Sequence, residues 1–116
     1  MQRLNGHGLG IDRGSLVLFS DVEEGGRMWT GTGERATRRQ VRYGEAFAAP
    51  PVVQVSVSMW DMDAGTNQRG DIAATRITET GFTLVFKTWG DTRIARLRCD
   101  WLALGPLRDP ELWELG

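Results

Sequence analysis

The sequence predicts an all-β protein, a six-stranded antiparallel β-sandwich with a short C-terminal helical turn. Three observations carry that prediction. Several runs alternate apolar and polar residues with a period of two, Val52 to Trp60 most clearly, and that period marks a strand with one buried face. Fifteen glycines punctuate the runs, which places turns between strands. Ahead of the C-terminus, no stretch repeats its apolar residues at helical spacing over a useful length.

Each strand has its own warrant. In Val52 to Trp60, residues Val53, Val55, Val57 and Met59 share one face, and Gln54, Ser56, Ser58 and Trp60 the other. Pro50-Pro51 stands at its start, where a missing N–H does least harm. From Arg93 to Leu104, residues Ala95, Leu97, Cys99, Trp101 and Ala103 face inward, while Arg96, Arg98 and Asp100 face away. Cys99 is thereby expected to be a core thiol. From Phe82 to Trp89, residues Phe82, Leu84 and Phe86 point inward, and Trp89 points outward with Lys87. Three further strands are read over Ser15 to Asp21, Arg38 to Phe47 and Asp71 to Thr78. In the second of these, Arg39, Val41 and Tyr43 alternate with Arg38, Gln40 and Arg42. Turns fall at Glu79-Thr80-Gly81 and Trp89-Gly90-Asp91-Thr92, with longer loops over Val22 to Ala36 and Asp61 to Gly70. The tail, Asp109-Pro110-Glu111-Leu112-Trp113-Glu114-Leu115, has Asp as an N-cap and Pro in the first turn. It reads as one helical turn docking Leu112 and Trp113 on the domain.

Length and composition bound the function. At 116 residues the chain is expected to be a single domain. Such a domain buries roughly two-thirds of its unfolded surface and needs no staple. The formal net charge of −1 does not suit capture of nucleic acid. The basic cluster Arg38, Arg39 and Arg42 has only Tyr43 for aromatic company, and fits a solvated or subunit-contact face better than a nucleic-acid groove. The lone cysteine, Cys99, and lone histidine, His7, exclude zinc sites built on several such ligands. His7 sits in a Gly-rich stretch, a poor place to hold a catalytic base. The start, Met1 to Gly8, has no apolar stretch behind its positive charge, so no signal peptide is expected. No window approaches the ~20 apolar residues of a membrane span.

Asp61-Met62-Asp63-Ala64-Gly65-Thr66-Asn67 resembles a calcium loop only superficially. Gly65 occupies a position that needs an oxygen ligand, and no Glu closes the loop. Its Asp and Asn side chains are expected to cap their own backbone, and neither metal nor cofactor is expected. The Gly-rich segments Gly6-His7-Gly8-Leu9-Gly10 and Gly31-Thr32-Gly33 do not join a strand to a helix, so they carry no phosphate-binding signature. Arg69 and Trp89 remain. An outward Trp beside a Gly turn offers a flat apolar plate for the C–H face of a sugar, and Arg offers five donors in a rigid fork. The alternative is a Trp covering the end of the sandwich and an Arg paired with Asp61, Asp63 or Asp71.

A wider pattern bears on that choice. Ala49-Pro50-Pro51 leads into the strand through Ser58, then come Asp61 and Arg69. Thr80-Gly81-Phe82, Lys87-Thr88-Trp89-Gly90-Asp91-Thr92-Arg93-Ile94 and Trp101-Leu102-Ala103-Leu104-Gly105 follow in order. From about Gln40 to Gly105 this resembles the H-type lectin domain family, and Gly26 to Gly31 is similar to short stand-alone bacterial members. The resemblance implies a six-stranded sandwich assembled as a homotrimer. It also implies calcium-independent binding of galactose-type sugars, N-acetylgalactosamine especially, in clefts between subunits. Arg69 and Trp89 stand where the family places sugar-binding residues, with Gly90 and Asp91 adjoining in the same motif. The sequence departs where the family has a His after the Trp (Gly90 here) and an aromatic contact further on (Ala95 here). The acidic contact from a neighbouring subunit falls in the Gly31 to Arg35 loop, where Glu34 alone can serve. The first expectation is therefore a non-catalytic carbohydrate-binding protein acting in surface recognition. The second is an assembly protein, such as a phage-like particle component, that uses the trimer without the sugar. An enzyme comes third. Export by a non-classical route or residence in a particle would fit the missing leader.

Overall fold

The computed structural model describes residues 1–4 and 8–108. The strands are β1 (Gln2–Leu4), β2 (Leu9–Ser20), β3 (Arg35–Arg42), β4 (Val52–Met62), β5 (Asp71–Thr75), β6 (Gly81–Thr88) and β7 (Ile94–Pro106). They form a four-stranded sheet in the order β1-β2-β7-β4 and a three-stranded sheet in the order β3-β6-β5. Every pairing is antiparallel. All six expected strands are present, and the three-residue β1 adds a seventh by pairing with the start of β2. The helical turn expected over Asp109 to Leu115 lies outside the described residues.

Apolar side chains from the facing sheets meet in one cluster. It includes Leu97, Cys99, Trp101 and Ala103 of β7, Phe82, Leu84 and Phe86 of β6, and Val41 of β3. Tyr43 and Phe47, just past β3, close it with an edge-on ring contact at 4.9 Å. The alternation read for β6 and β7 thus holds. Cys99 is fully buried, and burial, followed by the neighbouring Asp100 charge, pushes its thiol up to about 11. A thiol held protonated in this way is a poor nucleophile.

Two expectations are corrected. In β4, Val57 opposes Cys99 but Met59 opposes Arg98, so a bulge at Ser58 inverts the alternation. Met59 therefore sits opposite the outward Arg98 instead of facing the core, and Trp60 lies opposite buried Leu97. Trp60 stays largely exposed because β4 is an edge strand. The second correction concerns the loop between β2 and β3. It holds two single-turn helices, α1 (Asp21–Glu24) and α2 (Arg27–Thr30). Gly25 ends α1 in the left-handed region at φ 68°, a conformation suited to glycine. The Asp21 carboxylate accepts from the Met28 N–H at 2.9 Å, which seats the buried Met28 under α2. Four residues are too few to show a helical period.

This topology gathers the elements that carry the candidate residues at one end. The starts of β3, β5 and β7 and the ends of β4 and β6 all lie there, with α1, α2 and the loops 31–34, 61–70 and 89–93.

Candidate functional site

Arg69 precedes β5, and its backbone is pinned from both sides. The Thr88 hydroxyl donates to the Arg69 carbonyl at 2.6 Å. The Arg69 N–H donates to Thr92 Oγ1 at 3.1 Å, and Thr92 in turn donates to the Asn67 carbonyl at 2.5 Å. Both threonines are buried, so these bonds replace water that the backbone would otherwise lose. The alternation of β6 carries the signal, since Thr88 follows Phe82, Leu84 and Phe86 as the next inward position. Thr88 and Thr92 were not singled out from sequence, and they are what holds the loop in place.

The Arg69 side chain pairs with Asp91, Nη1 to Oδ1 at 3.0 Å. Asp91 is in turn held by Asn67, whose backbone N–H donates at 3.2 Å and whose side-chain amide donates at 3.2 Å. Those two bonds, with a smaller contribution from Arg69, keep the Asp91 carboxyl below its ordinary value. Arg69 therefore does not pair with Asp61, Asp63 or Asp71. Asp61 pairs with Arg96, and Asp63 pairs with Arg93. Asp63 also caps its own loop, accepting from the Gly65 N–H at 2.8 Å. Gly90 has φ 70°, and a Cβ there would stand 3.1 Å from Arg69 Nη1. Glycine serves at this turn on both counts.

Trp89 follows the end of β6 and keeps 42% of its surface exposed. It lines an open cleft of about 610 Å³ with Glu34, Arg35, Arg38, Asp71 and Lys87. Of the expected site residues, Glu34 and Trp89 line this cleft, whereas Arg69, Gly90 and Asp91 cluster at the adjoining turn and are not among its lining residues. Glu34 differs from expectation in one respect. Its turn is bonded to Gly90 of the same chain, Gly33 N–H to Gly90 carbonyl at 2.9 Å. The cleft is polar and water-accessible, with one aromatic wall, which suits a hydroxyl-rich ligand. Ala95, in the place of a family aromatic, is buried and offers no plate.

Two arginines missed from sequence shape this end. Arg93 lies 4.5 Å above the Trp29 ring and donates to the Trp29 carbonyl at 2.9 Å. It thereby joins α2 to the Asp63 loop. Arg35 is buried. Counting back by twos from Val41 places it on the inner face, which was the available signal.

A larger depression of about 860 Å³ lies on the outer face of the four-stranded sheet, lined by Arg13, Ser15, Gln54, Ser56, Asp100 and Leu102. It is remote from Trp89 and presents no exposed aromatic plate.

Comparison with known proteins defines the class. The H-type lectin domain matches residues 38–104, and the chain belongs to that family. A Fuscovulum blasticum protein called ATP synthase subunits region ORF 7 is 56% identical over 110 residues, 95% of this chain and 96% of its own. Discoidin-2 of Dictyostelium discoideum is 32% identical over 90 residues, 76% of this chain and 35% of its own. The structure of recombinant discoidin II from the same organism superposes with a TM-score of 0.73 at 24% identity, covering 86% of this chain and 38% of that one. The chain thus spans about a third of the discoidins' length.

Proposed function

We propose that this protein is a non-catalytic lectin that binds galactose-type sugars, N-acetylgalactosamine foremost, through Arg69, Trp89, Gly90, Asp91 and Glu34. The observation that carries the reading is the exposed Trp89 on a polar cleft, at the start of a turn whose Asp91 pairs with Arg69 and whose neighbour Thr88 holds the Arg69 carbonyl. A sugar stacks a C–H face on the plate and takes its hydroxyl contacts from the fork and the flanking carboxylates. Membership of the H-type lectin family supports this use. The Asp91 carboxyl is shifted down and held by Asn67 and Arg69, which suits a fixed acceptor for a sugar hydroxyl.

An open polar site gains little over water, so each site is weak alone. A homotrimer, with sites near the subunit boundaries, would supply avidity on a glycan-bearing cell surface. The outer face of the four-stranded sheet is the candidate contact. It exposes Val17, Val52, Leu102 and Leu104, more apolar surface than scattered single residues need. Arg98 and Asp100 lie beside them, while Arg96 is already paired with Asp61 of its own chain.

A glycan array probed with the labelled protein tests the proposal. Signal on terminal galactose or N-acetylgalactosamine is the expected result. A blank array, with trimer formation intact, transfers the weight to the assembly-protein reading.

A further inference from the structure

Arg35 is the one cationic side chain among the described residues that is buried, at 4% exposure. A buried guanidinium is costly unless its donors are met. Its Nε donates to the Gly33 carbonyl at 3.0 Å, Nη1 to the carbonyls of Arg27 and Met28 at 3.2 and 3.3 Å, and Nη2 to the Gly90 carbonyl at 3.3 Å. No carboxylate among the described residues pairs with it. The acceptors come from three separate segments: helix α2, the turn before β3 and the turn after β6. Gly33 N–H donates to the same Gly90 carbonyl that Arg35 reaches. Glu34 lies between Gly33 and Arg35, and Trp89 is next to Gly90.

We propose that Arg35 is a positioning residue that locks the Glu34 turn against the Trp89–Gly90 turn, so that acid and aromatic plate are presented as one surface by a single chain. The claim rests on reading the cleft as the sugar site. Only a planar fork reaches three segments at once. A lysine ammonium carries the same charge but is a compact point donor, without the fork's fixed spread.

The test uses the full chain, Arg35→Lys, and Arg35→Ala with and without methylguanidinium. Three properties are read: the melting transition, hydrogen exchange of the Gly33 amide in sugar-free protein, and affinity for N-acetylgalactosamine. The lock predicts that both variants fold cooperatively. It predicts Gly33 exchange at least tenfold faster, sugar affinity at least tenfold lower, and recovery of both in Arg35→Ala on adding methylguanidinium. Unchanged exchange in Arg35→Lys overturns the proposal. So does a variant that fails to fold, or that folds only with methylguanidinium, because Arg35 is then a general scaffold residue. If the wild type binds no sugar, the sugar reading fails on its own, and Gly33 exchange still decides whether the lock exists.

Discussion

Asp91 is the hinge of the Arg69 geometry, because it holds Asn67 and Arg69 at once. Its pairing with Arg69 is exposed and screened by solvent, so its value lies in orientation. Arg69→Lys keeps the charge and loses the fork. Sugar affinity is expected to fall about tenfold with the melting temperature little changed, as titration calorimetry and thermal melting would show. The pH response follows from the direction of the Asp91 shift. Its folded carboxyl titrates below the ordinary 3.8, so the stability and site order it contributes are fully present above that value. They are lost as pH falls through the lower folded value. The Arg69–Asp91 latch, followed from pH 7 down by the NMR signal of the Asp91 carboxyl, should therefore persist through pH 4.5 and open only below the ordinary Asp range. Opening centred near pH 6 would contradict the latch.

Strand β6 shows how one element serves core and site together. Phe82, Leu84 and Phe86 anchor it, and Thr88 spends the next inward position on the Arg69 carbonyl. Thr88→Val fills the same space but leaves that carbonyl without its donor, at a cost of about 1–3 kcal/mol. Chemical denaturation should report that loss together with weakened sugar binding. Tyr43 is the converse case. Its hydroxyl is buried with no partner among the described residues, and burial pushes it up to about 12. Tyr43→Phe should raise stability by about 1 kcal/mol, since the ring contacts remain and the unmet group goes. The strands were legible because their alternation survives in Val53, Val55 and Val57, in β6 and throughout β7. The bulge at Ser58 was not, since one extra residue leaves no compositional mark and flips everything after it. Helices α1 and α2 were invisible because their order comes from Asp21 reaching Met28, a tertiary bond. Arg69 and Trp89 are candidates through the ordered family motif, and the structure shows Trp89 exposed on a cleft and Arg69 paired with Asp91. Arg35 and the two threonines were not legible, because polar residues at inward positions announce burial without saying what they bind.

The two sheets leave one end closed by loops and one outer face with exposed apolar side chains, which the proposed function assigns to sugar binding and to trimer contact. The loops that carry Arg69, Glu34 and Trp89 close the end, and the outer face of the four-stranded sheet keeps Val52, Leu102 and Leu104 in water. Light scattering at micromolar concentration should give the mass of three chains. Val52→Asp together with Leu104→Asp should give the mass of one chain with the fold retained, because neither residue belongs to the core cluster. The central claim is that Trp89 is a sugar-stacking plate, and titrating N-acetylgalactosamine into wild type and Trp89→Ala by calorimetry tests it most directly. With the residue 42% exposed, truncation should cost less than the ~3–5 kcal/mol of a fully buried Trp. Saturable heat is expected in the wild type, and none in a Trp89→Ala variant that still melts cooperatively. Equal binding by the two proteins would contradict it.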